Sequence, residues 1–464
     1  MGMLVQTVTL IGLYAAFAPL LGRGRAAALP RPLARLLPVL AGLGAAAALY
    51  HFGSWWATYF AAHVPVEDND FAIFYGAAHA AIRRLPLYDL ANVRLETSEI
   101  NTYRYAPIGA ALFAPFLGLD LRGALVAWQL GSIALYVATL GALLWHFRAH
   151  LPWSPRFGLV AVWFAFAPTY QSLANGQLDT LFLAGSALAL LLLARRRDGW
   201  AGLALALPVV LKFYPALLLL PPLTRGRWRV PLACAIAVGG LVLAGALFAG
   251  GANTATFFGQ VLPTTGGGTI YAANQTPYAF VGRLLASILV GTGRYVRYPV
   301  EATTLIARAL ALLVLAISLL TIWLRGRGEA VAEVAFALLI PATLLLIPTA
   351  WVHYEEWALL ALVVLTVALA RSARPARWAW PLVACFAVAL LLLTLGTEED
   401  VWTEGVHVGA VRLILTYKLY GLVALWVGLL LILWRDGVPQ TAAQAAPQSG
   451  DPTGPIAPPT GPPR

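Results

Sequence analysis

Long apolar runs constrain the fold of this chain more than any other feature. Residues 36–60, 123–147, 230–250, 300–324 and 410–434 are each apolar for about 20 residues or more, enough to cross a hydrocarbon core of roughly 30 Å. Of the 464 residues, 60% are hydrophobic and 11% are charged, whereas an ordinary soluble domain is about 25% charged. The sequence therefore predicts an all-α, polytopic transmembrane helical bundle and excludes a soluble globular protein.

The net charge of +11 comes from basic residues in the gaps between the apolar runs. This distribution is typical of membrane-topology signals and does not indicate nucleic-acid binding. Basic residues favour cytoplasmic loops, so the other loops, including the long polar segment 61–105, are predicted to face outward. The clusters predicted to be cytoplasmic are 23–35, 148–156, 195–197, 225–229, 325–327, 371–377 and 435.

The segment between residues 195 and 225 decides the number of spans. Four prolines interrupt its helical pattern, and a single span would place its two basic ends on opposite sides. A hairpin of two short helices that turns near Lys212 and Pro215 places both ends inside and carries Lys212 to the outer half of the membrane. With this hairpin the chain makes about 11–13 spans.

Three regions follow from these patterns. Residues 1–35 form an extra N-terminal transmembrane helix, entering from outside, and a basic loop, and residues 36–434 form the main transmembrane domain. Residues 435–464 are rich in Pro, Gln, Ala and Gly and are predicted to be a disordered cytoplasmic tail. We expect a multi-pass protein of the cell membrane, whose oligomeric state the sequence leaves open.

Polar residues in or beside the spans converge on the outward side, and ionisable groups in such places are functional candidates by default. Asp70 begins a predicted helix whose apolar stripe runs from Phe71 to Leu85 and would lie along the outer membrane surface. Asp70 is then either a helix cap or a general base held at the interface. The piece 106–118 is too short to cross the membrane.

Each of the other candidates also has a structural interpretation. Interfacial Tyr and Arg side chains are often anchors, Asn and Gly suit an ordinary turn near residue 176, and a lysine can snorkel to the interface. A single histidine beside aromatic residues is usually structural, although His353 adjoins two carboxylates. These candidates are Tyr75, Arg104, Tyr105, Gln177, Asp179, Lys212, Asn274, Gln275, Arg283, His353, Tyr354 and Glu355.

In this order, these residues resemble the polytopic glycosyltransferases of the GT-C superfamily, specifically glycosyltransferase family 87, which includes polyprenol-phosphate-mannose-dependent α-1,2-mannosyltransferases. Two departures, Arg84 in place of a glycine and Ala106 in place of a proline, affect the shape of the acceptor site. The matching elements, within residues 36–400, are Asp70 with Phe74, Tyr75, Ala77 and Ala78; Leu87 and Tyr88; Tyr105 to Pro107; Asn175 to Gln177; Lys212 with Pro215; Asn274 to Thr276 with Arg283; and Trp351 with His353 and Tyr354.

The resemblance implies a GT-C-type bundle that moves a sugar, with mannose favoured, from a polyprenyl-phosphate donor to a lipid or glycan acceptor on the outer face. It implies that Asp70 is the catalytic base and that Lys212, His353 and Arg283 lie near the donor phosphate; we add Arg104 to this group. A single displacement would invert the anomeric carbon. The expected substrate-binding residues are Tyr75, Tyr105, Gln177, Asp179, Asn274, Gln275, Tyr354 and Glu355.

Two other functions compete with this interpretation. A transporter or flippase for a lipid-linked sugar or polar lipid would need a second, inward-facing set of polar groups, whereas the inner loops offer mainly arginines. A non-catalytic anchoring subunit would tolerate Asp70→Asn. No cofactor is predicted, although Asp68, Asp70 and Glu355 could together hold a divalent cation.

Overall fold

The structure is a computed structural model that describes residues 2–21, 31–61, 69–89, 103–286, 298–371, 376–394, 414 and 416–436. Within these residues the regular elements are helical, and an isolated β-bridge joins Asn274 to Trp351. This confirms the all-α prediction. The segments 62–68, 90–102 and 437–464, with Asp68, much of the predicted outer loop and most of the predicted tail, lie outside the described residues.

Helices fill both halves of the chain. In the first half they are α1 (Gly2–Leu21), α2 (Arg31–Ala61), α3 (Asp70–Ile82), α4 (Pro107–Ala111), α5 (Leu121–His146), α6 (Trp153–Ala165), α7 (Ala167–Ala174), α8 (Asp179–Ala194), α9 (Asp198–Lys212) and α10 (Leu220–Thr224). In the second half they are α11 (Arg229–Ala249), α12 (Gly251–Thr256), α13 (Leu262–Thr264), α14 (Pro277–Leu285), α15 (Val300–Arg325), α16 (Ala332–Leu346), α17 (Ala358–Arg371), α18 (Ala376–Thr394) and α19 (Tyr417–Asp436). Short 3-10 helices at Ala114–Phe116, Tyr214–Leu219, Glu329–Val331 and Val352–Trp357 and a π-helix at Phe257–Val261 complete the set.

The arginine clusters meet at one end of the bundle, which we call the basic end. Arg371 Nη1 lies 2.6 Å from Glu333 Oε2, and His146 Nε2 lies 3.3 Å from Glu333 Oε1. Arg196 Nη2 lies 2.9 Å from Glu329 Oε1. These contacts join the ends of α5, α8 and α17 to the start of α16, so loops predicted to share one side of the membrane do share one end of the molecule.

The proline-rich hairpin is confirmed. The chain runs along α9, breaks at Phe213, whose φ of 53° is left-handed, and returns through the 3-10 helix Tyr214–Leu219 and α10. Arg227 Nε donates to Asp198 Oδ1 at 3.0 Å, which fixes both ends of the hairpin at the basic end. Lys212 is therefore carried to the opposite end, which we call the site end.

The described helices can be grouped into thirteen candidate passes between the two ends, and the number of spans stays a prediction. Six of the described helices are long and apolar enough to cross a membrane, and α6 with α7, bent by 40°, would make a seventh. The other passes are shorter apolar helices; α8, with 16 residues, is about 24 Å long. The passes are α1, α2, α5, α6 with α7, α8, α9, the return through α10, α11, α15, α16, α17, α18 and α19.

Close backbone approach sets the packing of the hairpin against its neighbour. A Cβ added to Gly202 of α9 would lie 2.3 Å from Val230 O of α11, a separation that no side chain can occupy. Small residues permit such approach between membrane helices, where van der Waals packing replaces the hydrophobic driving force available in water. This contact holds the hairpin in register with α11.

Helix α3 begins at Asp70, as the sequence predicts, and α4 confirms that the piece 106–118 is short. The sequence pattern predicts that α3 buries a single apolar stripe. In the structure, residues on every face of α3 are buried. Phe113 stacks on Phe74 with ring centroids 5.0 Å apart, and Tyr105 meets the same ring edge-on at 5.3 Å. Aromatic residues from segment 103–116 thus cover the face that the pattern left to solvent, and α3 lies inside the site end.

Candidate active site

Asp70 stands at the first position of α3, with the capping role taken by its neighbour. Asn69 has an extended backbone, and its Oδ1 accepts from Phe71 N at 2.9 Å. The interpretation of Asp70 as the cap is therefore wrong, because the adjacent amide already caps the helix. The Asp70 carboxylate instead accepts a 2.6 Å hydrogen bond from Gln177 Nε2.

The turn between α7 and α8 brings Gln177 to Asp70. Gly176 has φ +58°, and a Cβ there would lie 2.7 Å from Phe71 Cβ, so the turn packs directly against α3. Asn69 Nδ2 donates to Ala174 O at the end of α7. The carbonyl of Gln177 also accepts from Trp128 Nε1 at 3.3 Å. Hydrogen bonds from side chains to its backbone carbonyls thus fix the turn, and they position the Gln177 side-chain amide on the Asp70 carboxylate.

Asp179 and His353 form a buried pair beside this turn. His353 Nδ1 lies 2.5 Å from Asp179 Oδ2, and the two residues are 6% and 2% exposed. Ser172 Oγ donates to the same Asp179 oxygen at 3.4 Å. Since Asp179 engages Nδ1, it fixes the imidazole ring and leaves Nε2 on the opposite edge. With Nδ1–H donating to Asp179, Nε2 of an imidazolium would donate to a ligand, whereas Nε2 of a neutral ring would accept.

Lys212 extends from the C-terminus of α9 into the same region. Its Nζ lies 3.3 Å from the centre of the Tyr354 ring and 5.2 Å from that of Tyr105. The Nζ atom is buried and has no hydrogen-bond partner among the described residues. The carboxylates of Asp179 and Asp70 act electrostatically on its charge. Aromatic faces partly compensate the ammonium, while none of its three donors meets a hydrogen-bond acceptor within the part of the chain that the structure describes.

Tyr105 and Arg104 enter this region from the segment before α4. Tyr88 donates to Tyr105 O at 2.9 Å, and burial raises the pKa of Tyr88 so that its hydroxyl stays a donor. Arg104 is exposed, and its charge acts on Tyr354. Tyr75 is placed differently, because its hydroxyl donates to Leu119 O at 2.6 Å and so ties α3 to the start of α5.

Asn274, Gln275 and Arg283 anchor a loop in this structure. Asn274 Nδ2 donates to Pro348 O at 3.0 Å, and its Oδ1 accepts from Ala350 N at 2.9 Å. Gln275 N donates to Ala350 O at 3.0 Å. These bonds join the loop before α14 to the segment that carries His353.

Arg283 holds the same loop from within. Its guanidinium donates to backbone carbonyls and is 1% exposed. The acceptors are Ile270 O at 3.1 Å, Tyr271 O at 2.6 Å, Ala272 O at 2.9 Å and Asn274 O at 2.8 Å. Contact with a donor phosphate remains a prediction for Arg283, while its observed contacts are those of a loop anchor.

Glu355, in the same 3-10 helix as His353, has a different electrostatic partner from that histidine. It is fully buried, and neither carboxylate oxygen has a hydrogen-bond partner among the described residues. Its electrostatic partner is Lys418, which donates to Leu393 O at 3.0 Å. Glu355 therefore joins the 3-10 turn Val352–Trp357 to α18 and α19. A role for Glu355 in substrate binding also remains a prediction.

The sequence patterns did not identify Ser172 or Lys418 as site residues. Ser172 donates to Asp179, and Glu356, the second carboxylate after His353, is buried and accepts from Thr180 Oγ1 at 2.8 Å. Lys418 could have been found, since it is the second of only two lysines and lies within the predicted span 410–434. No spacing rule brings Ser172 to Asp179, because the tight turn at Gly176 makes that contact.

Within the described residues, no group of three or more His, Cys, Asp or Glu side chains could hold a metal ion. Asp68, one member of the candidate cation set, lies outside those residues.

A comparison with protein-family models matches residues 103–348 to glycosyltransferase family 87. The match contains Tyr105, Gln177, Asp179 and Lys212 and leaves Asp70 before its start. No curated protein and no solved structure matches the chain. Because the matched segment exceeds half of the 464 residues, the chain belongs to glycosyltransferase family 87 and is a multi-pass membrane glycosyltransferase.

Proposed function

We propose that the enzyme transfers a sugar from a polyprenyl-phosphate donor to a lipid or glycan acceptor at the outer face of the membrane. The observation that carries this proposal is that an acid and a cation lie in the same region and differ in their hydrogen bonding. Asp70 has a positioned hydrogen-bond donor in Gln177, whereas the buried Lys212 ammonium has no hydrogen-bond acceptor among the described residues. A phosphate oxygen would supply that acceptor.

The reaction requires a base for the acceptor and a stabiliser for the leaving group. Asp70 takes the proton of the acceptor hydroxyl as its oxygen attacks the anomeric carbon. The new glycosidic bond forms while the bond from that carbon to the phosphate oxygen breaks, and the polyprenyl phosphate leaves with the electron pair. One displacement inverts the anomeric carbon.

Cations at the site stabilise the charge that develops on the leaving phosphate. Lys212 is the principal group, because donors that are fixed before the reaction in a water-poor site stabilise such charge strongly. His353, oriented by Asp179, and Arg104, at the exposed edge, are the further candidates. The polyprenyl chain would lie between helices in the bilayer. Mannose is favoured through family resemblance, and arabinose, glucose and other polyprenyl-linked sugars are the alternatives.

Transfer from radiolabelled polyprenyl-phosphate mannose to a membrane lipid extract tests the proposal. We expect Asp70→Asn to lower the rate by about 100-fold or more, since general-base catalysis contributes about 10²–10⁴-fold. Asp120→Asn is the matched control, because Asp120 caps α5 through a 3.1 Å bond from Gly123 N at the same end of the bundle. Asp120→Asn should retain the wild-type rate.

Two results would contradict the proposal. Equal product from wild type and Asp70→Asn would remove Asp70 from the mechanism. Accumulation of unchanged lipid-linked sugar in the opposite leaflet, without product, would indicate a carrier. Parallel assays with polyprenyl-phosphate arabinose and glucose would identify the sugar.

A further inference from the structure

Three loops at the basic end form a single arginine patch, which no step of sugar transfer uses. The loops, each taken with adjoining helix residues, are 195–199, from the end of α8 into α9; 225–229, from the end of α10 to the first residue of α11; and 325–329, from the last residue of α15. Together they contain eight arginines and two acids, a formal charge of +6. Such a local excess of charge produces a strong positive potential at the surface.

The arginines themselves hold the loops together. Arg225 Nε donates to Gly326 O at 3.1 Å, and Arg196 Nη2 lies 2.9 Å from Glu329 Oε1. Arg227 donates to Asp198 and to Leu193 O. These contacts engage both acids of the patch. Arg195, Arg197 and Arg229 are exposed, and the three loops contain no further acid to neutralise them.

Exposed tryptophans border the patch. Trp200 and Trp228 are 64% and 58% exposed, and the Arg229 guanidinium lies 5.9 Å from the Trp228 ring. Exposed leucines continue the border along α9 and α11, at Leu203 and Leu232. An indole that adjoins an apolar helix face on one side and cations on the other is typical of the depth at which lipid headgroups lie.

We infer that this patch binds the phosphate of an anionic phospholipid, with the acyl chains along the exposed faces of α9 and α11. Topology alone requires basic residues in each loop, but not their convergence into one patch. Basic sites between membrane helices bind anionic headgroups in this manner. The bordering apolar surface favours a lipid over a free phosphate, since a soluble anion would leave the tryptophans and leucines uncovered.

Lipid binding to the full-length protein in detergent tests this inference, with dioleoyl phosphatidylglycerol and dioleoyl phosphatidylcholine as probes and native mass spectrometry as readout. Wild type should bind phosphatidylglycerol more tightly. Arg195→Gln/Arg197→Gln/Arg229→Gln should weaken that binding at least tenfold, because each arginine near an anionic surface contributes roughly fivefold. Arg83→Gln/Arg84→Gln/Arg148→Gln removes the same charge outside the patch and should bind as wild type does.

The other outcomes overturn the inference. Equal affinity for the two lipids, or an unchanged affinity in the patch variant, would leave the patch with a topological role only. Full competition by millimolar inorganic phosphate would assign it to a soluble anion. The assay measures binding without sugar transfer, so its failure is independent of the proposed function. The melting temperature of each variant confirms that it is folded.

Discussion

The two ends of the bundle use charge in opposite ways. At the site end, the charged groups at the centre of the candidate site are buried, as Asp179 and His353 are, and Arg104 lies at the exposed edge. At the basic end they are many and mostly exposed; the Arg196–Glu329 pair, for example, has side chains that are 67% and 61% exposed. Burial strengthens electrostatic interactions, whereas water and salt screen exposed ones. Equal changes of charge at the two ends should therefore have unequal effects.

The two lysines provide the strongest test of this difference. Lys212→Met should lower sugar transfer by about 10²–10³-fold, the usual cost of removing one fixed donor to a developing oxyanion. It should leave the free energy of unfolding unchanged or higher, because a buried ammonium without an acceptor is itself destabilising. Radiolabel transfer and thermal melting measure the two effects.

Lys418→Met is the matched control, since both ammonium groups are buried at the site end, Lys212 as the last residue of α9 and Lys418 as the second residue of α19. Lys418 donates to Leu393 O and faces the charge of Glu355. Its removal should lower the free energy of unfolding by about 1.5–3 kcal/mol, the range for a hydrogen bond made by a charged group, because Leu393 O loses its donor. Transfer per folded molecule should persist. The reverse pattern in the two variants would show that the site has been assigned to the wrong lysine.

The Asp179–His353 pair should give the next largest effect. Asp179→Asn and His353→Gln should each lower the rate constant of transfer about 10–100-fold, because each variant loses a positioned donor to the leaving phosphate. The double variant should be no slower than the slower single one, since the two groups act as a unit. A rate loss equal to the product of the single losses would mean that they act separately.

The sequence predicted those parts of this picture that local rules determine. Apolar runs specify the passes, and prolines specify the break at Phe213. Because both basic ends of the hairpin must lie on one side of the membrane, its turn, with Lys212, lies at the site end. The start of α3 is predicted at the right residue, but the alternative that Asp70 is the helix cap is wrong, because the adjacent Asn69, which is equally suited to capping, takes that role. Local patterns cannot choose between two adjacent cap residues, and the choice depends on which side chain meets the turn at Gln177.

Local sequence patterns do not predict contacts between segments that are far apart in the chain. Arginine is the residue type expected of a phosphate ligand, yet Nε and Nη2 of Arg283 donate to backbone carbonyls of the loop 270–274. Glu355 adjoins His353 along the chain, but a 3-10 turn directs it toward Lys418. Spacing identifies which residues are polar in an apolar region. Only the tertiary fold decides which of them contact one another.

Arg283→Gln separates the two roles that this residue could have. As a loop anchor it should lower the free energy of unfolding by about 1.5–3 kcal/mol, the range for a hydrogen bond made by a charged group. The donor KM should change less than the melting temperature would suggest. A raised KM with an unchanged melting temperature would instead make Arg283 a ligand of the donor phosphate.

The smallest effect is expected at the basic end. Arg196→Gln and Glu329→Gln should each change the free energy of unfolding by less than about 1 kcal/mol, because exposed ion pairs are screened by solvent. Neither variant should alter sugar transfer, since α8 places these residues about 24 Å from the site end. Melting and transfer assays without anionic lipid measure both effects. A large destabilisation would mean that the arginine patch stabilises the bundle directly, and weaker lipid binding in patch variants would then have to be separated from partial unfolding.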